Sequence, residues 1–166
     1  IGVTSSGSLV FTNHNGLGMG THIIRSQDQG QNWDDVGPFL SGATGQIANS
    51  NDPYVYVDPW TDRIMKFDMH ALAVMFVEWS DDEGESWSLP FPASGVYSPQ
   101  DHQSIASVPP GPDFSGPLLH ETVYVFCINT GAQGPIGAFC DTSLDGGITW
   151  EGQVAGWPNG VLQCAG

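Results

Sequence analysis

Short runs of β-branched and aromatic residues recur along the whole chain, each closed off by Gly, Pro, Asn, Asp or Ser. Tyr54–Val57 and Thr122–Ile128 are examples. The longest wholly apolar run, Ala71–Val77, is only strand-sized, far below the roughly 20 apolar residues of a membrane span. Helix is nearly absent from this pattern, which predicts an all-β chain of short strands and tight turns.

The predicted strands fall into three units. Ile1–Thr4, Ser8–Thr12, Thr21–Ser26 and Trp33–Val36 make the first. The Gly-rich connection Asn13–Gly20 superficially resembles a phosphate-binding loop, but no helical pattern follows it. Ser41–Ser50 reads as a small-residue linker. Tyr54–Val57, Arg63–Asp68, Ala73–Ser80 and a strand starting at Trp87–Leu89 make the second unit, with turn chemistry at Asp58-Pro59-Trp60-Thr61-Asp62. The third opens at Gln100-Asp101-His102-Gln103 and continues through Ser104–Val108, Thr122–Ile128, Ala138–Ser143 and Trp150–Val154. Its loop Pro109–Leu119 holds four prolines and two glycines.

One octet punctuates all three units. Ser26-Gln27-Asp28-Gln29-Gly30-Gln31-Asn32-Trp33, Ser80-Asp81-Asp82-Glu83-Gly84-Glu85-Ser86-Trp87 and Ser143-Leu144-Asp145-Gly146-Gly147-Ile148-Thr149-Trp150 share the pattern S-x-D-x-G-x-x-W. Recurrence of a fixed signature marks a repeat architecture. The Ser and Asp side chains can bond backbone N–H groups just ahead and hold a turn from within. Gly30, Gly84 and Gly147 can take a positive φ without steric cost, and Trp33, Trp87 and Trp150 can fold under the turn. Local backbone satisfaction thus accounts for Asp28, Asp82 and Asp145 without a metal or an acid–base role.

These octets resemble the Asp box, or BNR repeat, of sialidase-like β-propellers, a family that includes sialidases, xyloglucan-active glucanases, sortilin-type receptors and non-catalytic propellers. The resemblance implies three four-stranded antiparallel blades at 1–40, 41–98 and 99–158, with 159–166 starting a further one, in a larger six- or seven-bladed propeller. It also places the boxes at the blade periphery, away from the central ligand site. Propellers close with about 4–8 blades, and an open one exposes strand edges. The expectation is therefore a piece of a longer propeller, in keeping with a start at Ile1 rather than Met; several copies completing a ring is the other solution.

Charge narrows the partners. Arg25, Arg63 and Lys66 are the whole basic complement, against 18 acidic side chains. A phosphate backbone needs clustered Lys and Arg, so nucleic acid is not an expected partner. Of the three cysteines, Cys127 and Cys140 flank a Gly/Pro-containing connection and are expected to pair; Cys127–Cys164 is the rival pairing. No CxxC or Cys/His spacing suggests zinc. A disulfide implies an oxidising, extracellular or cell-surface location.

The lead-ins Asn51-Asp52-Pro53 and Gln100-Asp101-His102-Gln103 occupy matching places before their octets. In a propeller they would bring Asp52, Asp101 and His102 near the axis, where oxygen ligands suit calcium and His with carboxylates suits a transition metal or acid–base work. Strand-start capping is the competing explanation. Sialidases of the resembled fold hold the substrate carboxylate with three arginines beside a Tyr–Glu nucleophile. This chain has only Arg25 and Arg63; Arg25 directly precedes an octet, so at most one arginine reaches an axial site. A glucanase-like site needs two carboxylates about 5–5.5 or 6.5–9.5 Å apart, for which Asp52 and Asp101 are the candidates. Trp60, Tyr97 and Trp157 are candidates for stacking on sugars, while His14, His22, His70 and His120 are scattered without ligand spacing. The expected function is a secreted or cell-surface module that binds glycan or protein without catalysis. The alternatives are a glycoside hydrolase completed by further sequence and a structural subunit that self-associates through blade edges.

Overall fold

The computed structural model describes residues 1–14, 21–38, 40–41, 46–47, 52–94, 99–130 and 137–155. Most of the 13–20 connection and of the 41–50 linker, Asn51, Tyr97, Trp157, Cys164 and the expected further unit at 159–166 lie outside the described residues.

Among the described residues there is no helix, and every strand pairing is antiparallel. Strands β1 (Gly2–Val3), β2 (Leu9–His14), β3 (Thr21–Ser26) and β4 (Asp34–Asp35) form the first four-stranded sheet in that order. A small hairpin, β5 (Leu40–Ser41) with β6 (Gln46–Ile47), occupies the stretch read as a linker. The second sheet runs β7 (Tyr54–Val57), β8 (Ile64–His70), β9 (Val74–Ser80), β10 (Phe91–Pro92). The third runs β11 (Gln100–Val108), β12 (Val123–Thr130), β13 (Gly137–Ser143), β14 (Glu151–Ala155). The fold is therefore all-β, three four-stranded antiparallel sheets that do not close on themselves.

Most strand ends lie within a residue or two of the sequence reading, the usual fraying of a boundary. The fourth strand of the second sheet is the exception: it begins at Phe91, not at Trp87. Pro90 and Pro92 carry no N–H, which confines them to an edge. Serine hydroxyls fill in for the missing backbone pairing, since Trp79 N donates to Ser88 Oγ (3.0 Å) and Met75 N to Ser94 Oγ (3.0 Å).

The second sheet is sandwiched, and β8 is buried on both faces from Ile64 to Met69. Met65, Phe67 and Met69 pack with Tyr124, Phe126 and Ile128 of the third sheet, and the rings of Phe67 and Phe126 stack at 5.2 Å. On the opposite face Ile64, Val55 and Val57 meet Val10 and Ile23 of the first sheet. Full burial of each such side chain is worth about 1.5–3 kcal/mol, so these two seams hold the sheets together. Cys127 and Cys140 sit directly opposite each other on β12 and β13, with Cα atoms 4.1 Å apart, and are joined by a disulfide. That bond removes Cys127 from the rival pairing with Cys164.

Candidate functional site

Each octet is a self-contained turn. Ser26 Oγ donates to Asp28 Oδ1 (2.8 Å) and accepts from Gly30 N (2.8 Å). The same pair of bonds recurs at Ser80, Asp82 and Gly84 and at Ser143, Asp145 and Gly147. The fourth and fifth positions of all three take a positive φ: Gln29 and Gly30, Glu83 and Gly84, Gly146 and Gly147. The second carboxylate oxygen is held by the seventh residue, with Asn32 Nδ2 at 2.6 Å, Ser86 Oγ at 2.6 Å and Thr149 Oγ1 at 2.5 Å. These seventh positions lie outside the four shared letters of the signature, yet each carries a side-chain donor. Hydrogen bonds from Asn32 and Ser26 bring Asp28 down to about 2. Bonds from Ser86 and Ser80 lower Asp82; at Asp145 burial opposes ionisation, but the bonds from Thr149 and Ser143 outweigh it. Every Asp oxygen is thereby engaged inside its own turn.

The tryptophans diverge. Trp33 and Trp150 donate Nε1–H to Gly30 O and Gly147 O, each at 3.1 Å. Trp87 instead reaches across to Val36 O of the first unit at 2.6 Å. Trp33 stays 40 % exposed, whereas Trp150 packs its ring on Phe126 at 5.9 Å.

All three basic side chains serve the framework. Arg25 donates Nη1–H to Glu83 O (2.8 Å) and Nη2–H to Glu85 Oε1 (3.0 Å). Arg63 grips both oxygens of Asp81 at 2.6 Å and donates Nη1–H to Gly146 O at 2.7 Å. The two guanidiniums thus make one contact twice: each caps the fourth carbonyl of the next unit's octet. Glu83 completes the first of these joints by accepting from Thr4, Ser6 and Ser8. Lys66 is fully buried between Asp68 Oδ2 (2.5 Å) and Glu78 Oε2 (2.7 Å). Arg63, like Arg25, is spent between units.

The Asp58 turn is also more than a turn. Its carboxylate accepts from Thr61 Oγ1 (2.7 Å) and Trp60 N (3.1 Å) within the turn. It accepts as well from Ser107 Oγ (2.7 Å), Thr122 Oγ1 (2.9 Å) and Tyr124 OH (2.7 Å) across the seam to the third sheet. Burial alone would raise Asp58, but these donors outweigh it and hold it below the usual carboxylate range. Burial and the neighbouring Asp58 push the Tyr124 phenol upward.

The two lead-ins do meet. Gln103 Nε2 donates to Asp52 O at 2.7 Å, tying the start of β11 to the segment before β7. Between Asp101 and Ser104 the β11–β12 register shifts, a bulge in which His102 takes φ 54°. A left-handed backbone at a non-glycine residue costs roughly 1–3 kcal/mol, and bulges of this kind re-aim side chains. Here the bulge turns Asp101 and His102 into solvent, with side chains 59 % and 77 % exposed and 3.1 Å between Asp101 Oδ2 and His102 Nδ1. Beneath them Gln103 is 8 % exposed, with no partner for its amide oxygen; Gln100 is fully buried, with none for its amide nitrogen. No group of three or more His, Cys, Asp and Glu side chains gathers at metal-binding range among the described residues.

The histidines play local parts. His22 pairs with Asp35 at 2.5 Å, His70 packs edge-on to Phe76, and His120 bonds Thr122 and lies over Tyr124. Burial, then the Arg63 charge, lowers His120. His14 lies on β2, and Trp60 is exposed on the Asp58 turn.

Asp141 on β13 lies opposite Phe126 and is 4 % exposed; burial pushes it up to about 6. Because the folded state holds the proton more tightly than the unfolded chain, its stabilising effect is complete below about pH 4 and lost as pH rises through about 6. Asp141→Asn is therefore expected to stabilise the protein by ~1–3 kcal/mol at pH 8, with the gain vanishing towards pH 4. Urea midpoints of both proteins at the two pH values check this.

No family model and no curated protein sequence matches the chain. Among solved structures it is similar to a point mutant of the NanB sialidase from Streptococcus pneumoniae, with 16% identity and a TM-score of 0.63, over 93% of this chain and 22% of that one. It is also similar to a Hadza microbial sialidase, Hz136, with 22% identity and a TM-score of 0.53, over 89% of this chain and 35% of that one. The chain spans about a fifth to a third of the length of these structures. At such identities the likeness is one of fold, and the three sheets have the architecture of blades of a sialidase-type propeller.

Proposed function

We propose that this chain supplies three Asp-box blades to a secreted or cell-surface sialidase-like propeller and binds glycan without hydrolysing it. The observation that carries the reading is the fate of the cations. Arg25, Arg63 and Lys66 are all buried and bonded within the framework, so these 166 residues have no guanidinium to offer a substrate carboxylate. The octets, with every Asp oxygen engaged, are read as structural pins in the same way. The lead-in edge at Asp52, Asp101 and His102 is the proposed binding face, because there a strained bulge holds polar side chains in solvent. The Cys127–Cys140 bond supports an oxidising compartment.

The test is to incubate the purified protein with 4-methylumbelliferyl N-acetylneuraminide and with reduced-end-labelled oligosaccharides, and to screen the same preparation on a glycan array. The expected result is retention of one or more glycans with no release of fluorophore or sugar. Hydrolysis by the purified protein would overturn the non-catalytic reading.

A further inference from the structure

Resting on the propeller half of the reading above, we infer that the outward face of the first sheet is an interface. Its occupant is a further unit of the same propeller, one that brings an arginine to the Gln29 carbonyl, and not a second copy of this chain. The two joints between the three sheets define what such an occupant must carry. Each has a guanidinium from one unit on the fourth carbonyl of the next octet, Arg25 on Glu83 O and Arg63 on Gly146 O. Each also has an apolar side chain of that same unit pressed on the fifth-position glycine. A Cβ at Gly84 would stand 2.6 Å from Val36 Cγ2, and one at Gly147 would stand 2.9 Å from Met65 Cε. The joint therefore closes only over a bare glycine.

The first octet has the same form and neither contact. Gln29 and Gly30 take the same positive φ as their counterparts, but both guanidiniums of the chain are spent on the other two octets. A Cβ at Gly30 would meet only Leu9 and Trp33 of its own unit, at 3.7 and 3.8 Å. Gln29 is exposed and Gly30 half-buried, whereas Gly84, Gly146 and Gly147 are buried. Trp33 is exposed, whereas Trp87 at the same position reaches the preceding unit at Val36 O. Val10 and Ile23 turn inward to the second sheet, so strand alternation sends Val3 and Phe11 outward, and both are exposed. The same joint half that the second and third octets present to the unit ahead of them is thus built, and unclaimed, at the first.

A second copy lacks the matching half. The residue just before an octet faces the following unit: Arg25 reaches the second octet, and Trp79 carries the Arg63 guanidinium 5.2 Å over its ring. In the third sheet that position is Thr142. Arg63 directly precedes Ile64, the strand partner of Ser80; its counterpart is Val123, directly before Tyr124, the partner of Ser143. Neither Thr142 nor Val123 is a cation, and two copies of formal charge −15 repel each other.

Sedimentation equilibrium of the purified chain across the micromolar range, alongside Thr142→Arg and Thr142→Gln, tests this. The arginine variant puts a guanidinium where Arg25 has one, so the third sheet of one copy gains what the first octet of another takes. The unmodified chain is expected to stay a monomer. Thr142→Arg is expected to self-associate roughly 10-fold or more tightly than Thr142→Gln. Adding Phe11→Glu to Thr142→Arg is expected to abolish that association, with thermal midpoints unchanged throughout. Micromolar self-association of the unmodified chain that Phe11→Glu abolishes makes a second copy the occupant and overturns the inference. Association of Thr142→Arg no tighter than that of Thr142→Gln overturns the guanidinium joint. Glycan retention is read separately on the array, so either reading can fail without the other.

Discussion

Lys66→Met is expected to cost about 3–5 kcal/mol of folding free energy at neutral pH. The ammonium of Lys66 sits with no exposure between Asp68 and Glu78, which are themselves 2 % and 3 % exposed. Burial already raises Glu78, against the pull of Lys66. Removing the cation leaves two desolvated carboxylates facing each other, with the Oδ1 of Asp68 already lacking a partner. Glu78, already raised by burial, would respond by taking up a proton, so the deficit should shrink as pH falls. The triple variant Lys66→Met, Asp68→Leu, Glu78→Leu removes the charges together and should recover most of the loss. Guanidinium unfolding at pH 5 and pH 7.5 measures all of this. A single-variant loss below 1 kcal/mol, or a triple variant no better than the single, would show that the trio is not the electrostatic unit described here.

The second large effect is expected at Asp58. Replacing it with alanine strands the buried hydroxyls of Thr122 and Tyr124 and takes one partner from the half-buried Ser107, which keeps Tyr56 OH, at the seam between the second and third sheets. Bonds to a charged acceptor are worth about 1.5–3 kcal/mol each but do not add, so a loss of about 3–5 kcal/mol is the expectation. Asp58→Asn keeps two acceptor sites and should lose less. A double-mutant cycle with Tyr124→Phe isolates the seam: coupling above about 1 kcal/mol is expected, whereas additivity would reduce Asp58 to a local turn residue. Urea unfolding of the four proteins is the measurement.

The contrast between the octets and Asp58 explains what could be read from sequence. Ser26, Asp28 and Gly30 bond one another within five residues, so identical letters at fixed spacing expose both the turn and its purpose. The seventh position escaped the signature because Asn32, Ser86 and Thr149 do one job with three different side chains. Asp58 sits in an ordinary Asp-Pro turn, and its decisive donors come from residues 49 to 66 positions away; nothing local marks it. Arg25 and Arg63 make equivalent contacts from unlike places, one at the end of β3 and one just ahead of β8. The late start of β10 was hidden because the Ser88 and Ser94 hydroxyls stand in for backbone acceptors. At the lead-ins, the proximity of the Asp52 and Gln103 segments followed from their matching places in the repeat. The bulge that aims Asp101 and His102 outward depends on register and had no signal in the letters.

The burial of every basic side chain has a practical corollary. Trypsin cleaves only after Arg and Lys, and within these 166 residues its three targets are Arg25, Arg63 and Lys66, each at a packed seam and at most 9 % exposed. A protease needs roughly extended, accessible backbone around the bond it cuts, so the native fold withholds every one of its sites. Tryptic digestion of this stretch therefore reports opening of the sheets themselves: at low protease the rate of cutting follows the fraction of molecules whose joints stand open, and at high protease it follows the rate at which they come apart.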